Sequence, residues 1–176
     1  GAYWDAEIKH AQVHGYPGFS VFTRKPSTDL SYLVCAKFIL QNSDTLFGRF
    51  ATHNAHTIAA VMELAHGHHD FEFQRLFGMG AALYAASQSE YSSLPMLRTY
   101  APVGSHDDLL AYLVRRLLEN GANSSFVNQF LDDRVLPSEI VTDPIRHVRH
   151  ASADAHPHTK LPSMHSPPAR RYSKLF

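Results

Sequence analysis

The chain has 176 residues, long enough for one ordinary domain, and its 44% hydrophobic content is typical of a globular core. With 16 basic and 16 acidic residues the formal net charge is zero, so the basic footprint of a nucleic-acid-binding segment is missing. A single cysteine, Cys35, excludes a disulfide framework and a cysteine metal centre and fits a reducing compartment; no stretch reaches the apolar length of a membrane span or has the layout of a secretory leader.

The first residues, Gly-Ala-Tyr-Trp-Asp, lack an initiating Met, and the sequence reads as a piece of a longer polypeptide. In chain order, FSVFTRK (19–25) is strand-like and STDLSYLVCAKFILQ (27–41) is a capped helix. TLFGRFATHN (45–54) is a strand ending at an Asn cap, after which Ile58, Val61, Met62 and Ala65 form a helical stripe. DFEFQRLFGMG (70–80) is a strand running into a glycine turn, followed by a weak helix, AALYAASQ. MLRTYAPVG (96–104) is the next strand. Strand then helix, repeated with short connections, predicts βαβ units and a parallel sheet. Polar residues gather at the predicted strand C-termini: Thr23 to Lys25, Thr52 to Asn54, Gln74, Arg75 and Tyr100. A (β/α)8 barrel builds its sites at that end, and a doubly wound sheet uses the same end. A full barrel needs about 250 residues, so this region supplies about half of its units.

The last helix of the set, LLAYLVRRLLENGAN (109–123), carries two adjacent arginines in a leucine-rich run. Ser105 with Asp108 is a capping-box pattern, and Asn120-Gly121 is a stop signal. Leu110, Leu113, Val114 and Leu117 predict a core-facing stripe, while Tyr112, Arg115, Arg116 and Glu119 make a second one. Two neighbouring guanidiniums repel unless an anion lies between them, and each can grip a carboxylate or phosphate through two parallel hydrogen bonds. A solvated face with an intrahelical Arg-Glu pair is the competing reading of this helix.

Histidine is in excess at 13 residues. HGHH (66–69) reads as a polar loop after a helix end, and the histidines of 146–158 lie in a tail without periodicity. Neither group is joined by carboxylates at a spacing that closes a metal site on one face. Gly78-Met79-Gly80 lacks the third glycine of a dinucleotide fingerprint, and no nucleophile motif is present. His53 and His56 sit at a strand-to-helix junction where spacing alone favours capping by Asn54 and packing. From residue 132 on, Pro, Ser, His and Arg accumulate, giving a largely irregular tail or interdomain linker with one short helix near 137–150.

The blocks GAYWDAEIKHAQ, VFTRKPSTDLSYL, FATHNAHTIAAV, FEFQRLFGMG and TYAPVGSHDDLLAYLVRRLLENGANSSFVN occur in order over nearly all of residues 1–131. Together they resemble the proline dehydrogenase domain of bacterial proline utilization A proteins. The stretch from Leu136 resembles the segment that leads toward their aldehyde dehydrogenase module. The resemblance implies an α/β fold, the second half of a distorted (β/α)8 barrel over residues 1–131, with residues 132–176 as linker. It implies FAD held non-covalently, oxidation of L-proline to 1-pyrroline-5-carboxylate by hydride transfer to the flavin, and passage of electrons to a membrane quinone. Parent proteins of this kind are expected to be cytoplasmic homo-oligomers, peripherally bound to the inner membrane when reduced.

By the same resemblance, Arg115 and Arg116 hold the proline carboxylate, Tyr112 and Tyr100 line the substrate pocket, and Glu119 orients the arginine pair. Leu76 packs near flavin and substrate. The matching flavin positions are Gly1, Ala2 and Trp4, then Thr23, Lys25 and Thr28, then Thr52, His53 and Asn54, and finally Gln74. This reverses the spacing-only reading of His53 in favour of a cofactor contact. The chemistry agrees, since anchoring a carboxylate by two guanidiniums fixes the orientation that a protein contributes to a cofactor reaction. The family's first strands are missing, and half a barrel exposes sheet edges, so this chain alone is expected to be inactive. The rival readings are a non-catalytic barrel remnant serving as an interaction module, and a metal-dependent barrel hydrolase using His53 and His56. The lack of clustered carboxylates at the strand ends argues against the second.

Overall fold

A computed structural model of the chain describes residues 4–121, 134, 136–141, 143–151, 156 and 158–162, with backbone only at Trp4, Asp5, Gly121 and Pro137. Strands β1 (Gly48–Ala51), β2 (Phe71–Leu76) and β3 (Met96–Tyr100) form a parallel sheet in the order β1-β2-β3. Phe50 lies opposite Phe73, Gln74 opposite Arg98 and Leu76 opposite Tyr100. Helices α1 (Trp4–His14) and α2 (Lys25–Gln41) precede the sheet; α3 (Ala55–Ala65), α4 (Ala81–Glu90) and α5 (His106–Gly121) each follow one strand. The strand-helix repeat expected from 45 onward is therefore present, with all observed pairings parallel.

Strands alternate their side chains between faces, and here the alternation separates two environments. Phe50, Phe71 and Phe73 point into a core completed by Ala36 of α2, Ile58, Val61 and Ala65 of α3, and Tyr84 of α4. Their rings meet edge-on or tilted, with centroids 5.5–6.5 Å apart. Tyr84 is 1% exposed, yet its hydroxyl is satisfied by donating to Thr52 O at 3.0 Å. Asn54 caps α3 as expected: its Oδ1 accepts from His56 N at 2.9 Å and Thr57 N at 3.3 Å. The helix ends on His66 in the left-handed region, followed by Gly67, so HGHH is indeed a loop.

Four sequence expectations need correction. Residues 19–25 are not a strand; 19–24 are irregular, Lys25 opens α2, and among the described residues no strand pairs with them. Alternating Phe19, Val21 and Thr23 suits a sheet, but among the described residues β1 is paired with β2 alone. Helix α2 starts two residues earlier than expected, with Pro26 in its first turn and no side-chain cap, so Ser27 is not its cap. Residues 4–14, to which no element was assigned, form α1, which buries Ile8 and Ala11. Among the described residues the tail holds two short helices where one was expected, α6 (Pro137–Ile140) and α7 (Pro144–His150). Asp143 caps α7 by accepting from Ile145 N at 2.8 Å, and α7 packs against α2.

Candidate active site at the strand ends

The C-terminal ends of β1, β2 and β3 bring together Thr52 to Asn54, Gln74 to Leu76 and Tyr100, and α5 lays its polar stripe beside them. The expected orientation of α5 is reversed. Leu110, Leu113, Val114 and Leu117 are exposed, Leu117 by 61%, whereas Tyr112, Arg115 and Arg116 are half-buried. The physical reason is local: what α5 meets at the strand ends is polar and charged, so its cationic face is the complementary one.

Within that face Arg116 is constrained from two sides. Its Nη1 donates to Glu119 Oε2 at 2.8 Å, and its guanidinium lies over the Tyr112 ring at 5.4 Å from the centroid. Tyr112 in turn hydrogen-bonds Tyr100; burial first, then that bond, pushes the Tyr100 phenol up, with Arg116 opposing and Glu119 reinforcing. An exposed Arg-Glu pair would contribute little, but this one is three-quarters covered at Arg116 and belongs to a network that reaches the end of β3. Arg116 Nε is buried and has no hydrogen-bond acceptor among the described residues, and the same holds for Arg75 Nε at the end of β2. Cationic donors buried without an acceptor are costly, and a ligand anion would satisfy them.

On the β1 side, His53 lies between β2 and α5. Its Nε2 accepts from Leu76 N at 3.4 Å, which in the neutral ring leaves the hydrogen on Nδ1. Burial lowers the basicity of the imidazole, Arg75 lowers it further, and Glu119 acts in the opposite sense. Gly80 makes this approach possible: a Cβ there would stand 2.9 Å from His53 Cδ2, and its φ of +68° is one that favours glycine. The Gly78-Met79-Gly80 turn also ties the site together, because Arg75 Nη1 donates to Met79 O at 3.0 Å and Asn120 Nδ2 donates to Met79 Sδ at 3.0 Å.

Several of the other expected residues have partners of their own. Gln74 Nε2 donates to Glu72 Oε1 at 2.7 Å, and Lys25 pairs with Asp29 at 2.6 Å on the surface of α2. Thr23 Oγ1 accepts from His156 N at 2.9 Å, bringing the tail to this position. Thr52 Oγ1 accepts from Asn54 N at 3.1 Å, Thr28 lies exposed in the first turn of α2, and Leu76 is buried. Gly1, Ala2 and the Trp4 side chain lie outside the described residues. His53 and His56 belong to no group of three potential metal ligands among the described residues. Sequence reasoning named Arg75 only as a polar strand-end residue and missed Met79 and Asn120. The signal available was the glycine pair, whose positive φ values mark a turn held close to its neighbours.

A profile of the proline dehydrogenase family matches residues 1–129. The bifunctional protein PutA of Klebsiella aerogenes is 48% identical over 172 residues, covering 92% of this chain and 13% of its own length, and PutA of Escherichia coli K12 matches to the same extent. The solved structure of Bradyrhizobium japonicum proline utilization A is 55% identical with a TM-score of 0.84, over 92% of this chain and 17% of that one. That of Bdellovibrio bacteriovorus is 33% identical with a TM-score of 0.74, over 98% and 17%. The chain thus spans 13% of the length of these curated relatives. Both the profile and the relatives run across the strand ends and the arginine helix together, and on their agreement the chain belongs to the proline dehydrogenase family.

Proposed function

We propose that this chain is the second half of a distorted (β/α)8 barrel, over residues 1–131, that oxidises L-proline to 1-pyrroline-5-carboxylate, with residues 132–176 linking it to an aldehyde dehydrogenase module. The observation that carries the reading is Arg116, held by Glu119 and Tyr112 beside Tyr100 with a buried Nε that lacks an acceptor among the described residues. A carboxylate is the anion that this geometry suits, since a guanidinium offers it two parallel donors. Arg115, on the same stripe, supplies the second fork. Tyr112 and Tyr100 wall the pocket, Leu76 gives it an apolar floor, and Glu119 keeps Arg116 from swinging away.

The donor set at the strand ends suits FAD. Thr52, His53 and Gln74 give neutral donors and acceptors for the rim of a polar heterocycle. Beside them, Thr23 before α2 and Lys25 and Thr28 in its first turn would give hydroxyls and a cation for its phosphates, with Asn54 and the first segment (Gly1, Ala2, Trp4) completing the set. FAD, when bound, supplies the acceptor for the hydride. The protein's own part is orientation: two arginines fix the carboxylate, and the tyrosines and Leu76 limit the tilt of the ring, which is the contribution that makes such a transfer fast. His53, neutral and bonded to the Leu76 amide, offers a fixed Nδ1 donor. Onward passage of electrons to a membrane quinone, homo-oligomeric assembly and peripheral membrane attachment complete the reading.

A chimera in which this chain replaces the matching 172 residues of the E. coli relative tests it. The purified chimera is expected to carry FAD and to oxidise L-proline with an artificial acceptor. A chimera that folds and holds FAD but leaves proline unoxidised would refute the assignment.

A further inference from the structure

One buried carboxylate has no part in the proposed reaction. Glu72, 1% exposed, stands in β2 two residues before Gln74 and on the same face. Arg98 of β3 donates its Nε to both Glu72 oxygens at 2.9 Å, its Nη2 lies 2.7 Å from Oε2, and Arg49 of β1 lies 3.6 Å away. Gln74 adds its Nε2 at 2.7 Å. The hydrogen bonds from Arg98, then from Gln74, hold the Glu72 carboxyl down at about 2, so it is ionised and can only accept.

An acceptor-only neighbour leaves the Gln74 amide one orientation: NH2 toward Glu72 and carbonyl away from it. Glu72 lies on the N-terminal side of Gln74 along β2, so the carbonyl side of the amide is turned toward the strand C-termini. Among the described residues no hydrogen bond to Gln74 Oε1 accompanies the one from its Nε2. We infer that Glu72 is a positioning residue that locks the Gln74 amide so that its carbonyl, and not its NH2, faces the ligand and selects an N–H edge of the flavin ring. The inference rests on the reading of Gln74 as a flavin contact.

The test uses the chimera described above and FAD itself as the probe, with the dissociation constant and visible absorption band as readouts. In Glu72→Gln, Arg98 claims the new side-chain carbonyl, the new NH2 faces Gln74, and the Gln74 amide turns over. FAD should then bind about tenfold more weakly, the effect of one lost hydrogen bond, with a shifted flavin band. Glu72→Asp keeps the charge but withdraws the carboxylate from Gln74; it should move both readouts in the same direction and serves if Glu72→Gln fails to fold. Arg98→Lys keeps the cation and loses the fork, so thermal stability should fall while FAD affinity stays within about threefold. The double variant Glu72→Gln/Gln74→Met should bind FAD no more weakly than Gln74→Met alone, because Glu72 acts through Gln74. Unchanged affinity in both Glu72 variants, or an equal loss in Arg98→Lys, would overturn the inference and leave Glu72 a purely structural ion-pair partner. An unaltered chimera that folds without taking up FAD would instead refute the flavin assignment, and this inference with it.

Discussion

The two faces of the sheet are one residue apart along each strand and belong to different chemical worlds. On one, Phe50, Phe71 and Phe73 pack with Ile58, Val61 and Tyr84, and the buried Tyr84 hydroxyl is bonded to backbone. On the other, Arg49, Glu72, Gln74 and Arg98 form a charged ladder that ends at Tyr100 and the α5 arginines. The first face explains why these strands lie side by side, because burial of large apolar side chains is what stabilises the pairing. The second explains why the sheet can hold a reactive site: charges are fixed there by partners, so their donors are aimed before any ligand arrives. Stability and chemistry thus share strands without sharing side chains.

If that division is right, damage to one face should leave the other's signature untouched. The largest effect is expected from Phe73→Ala, which empties a fully buried position. It should cost about 3–5 kcal/mol in urea unfolding, with ligand affinity unchanged in whatever fraction stays folded. Next come Arg115→Met and Arg116→Met in the chimera. Each should weaken binding of proline and carboxylate analogues by about 2–3 kcal/mol, read as a raised Michaelis constant, with flavin content unchanged. An unaltered constant in both would mean that this helix face is merely solvated. Gly80→Ala is expected to cost about 1–2 kcal/mol, because an L side chain is strained at that φ and meets His53. A melting temperature equal to that of the unaltered protein would show that the turn relaxes freely.

The smallest effect concerns pH. Burial keeps the His53 imidazole less basic in the folded chain than its ordinary value of 6.5. The unfolded chain therefore binds the proton first as pH falls, so the stability tied to neutral His53 is present above pH 6.5 and is lost below it, through the lowered folded value. The stability difference between unaltered protein and His53→Gln should shrink between pH 7.5 and pH 5. A gap that is flat across this range would mean that the ring titrates as freely as in water.

Much of the fold was legible because it rests on local patterns. The period-3.6 stripe Ile58, Val61, Ala65 and the Asn54 cap specify α3, and the three aromatic-rich runs specify the strands. FSVFTRK failed for the same reason that β-propensity is a weak guide: alternation describes a half-buried surface, and a strand exists only if a neighbour supplies its hydrogen bonds. Helix α5 failed differently. Its apolar stripe was read correctly as a stripe and assigned to the wrong side, since periodicity reports that a helix has two faces and not which one the rest of the chain meets.

The sequence by itself determined the types of the elements from α2 to α5, the parallel class of the sheet and, through long matching blocks, the family. Tertiary structure alone decided that Glu72 is locked by Arg98 of the neighbouring strand, that Gly80 must leave room for His53, and that the face of α5 carrying Tyr112 and Arg116 lies beside Tyr100. The reason is range. Propensity, capping and periodicity act within a few residues and can be read along the chain, whereas a charge is satisfied or left orphaned by groups tens of residues away, and only packing brings those groups within hydrogen-bond reach.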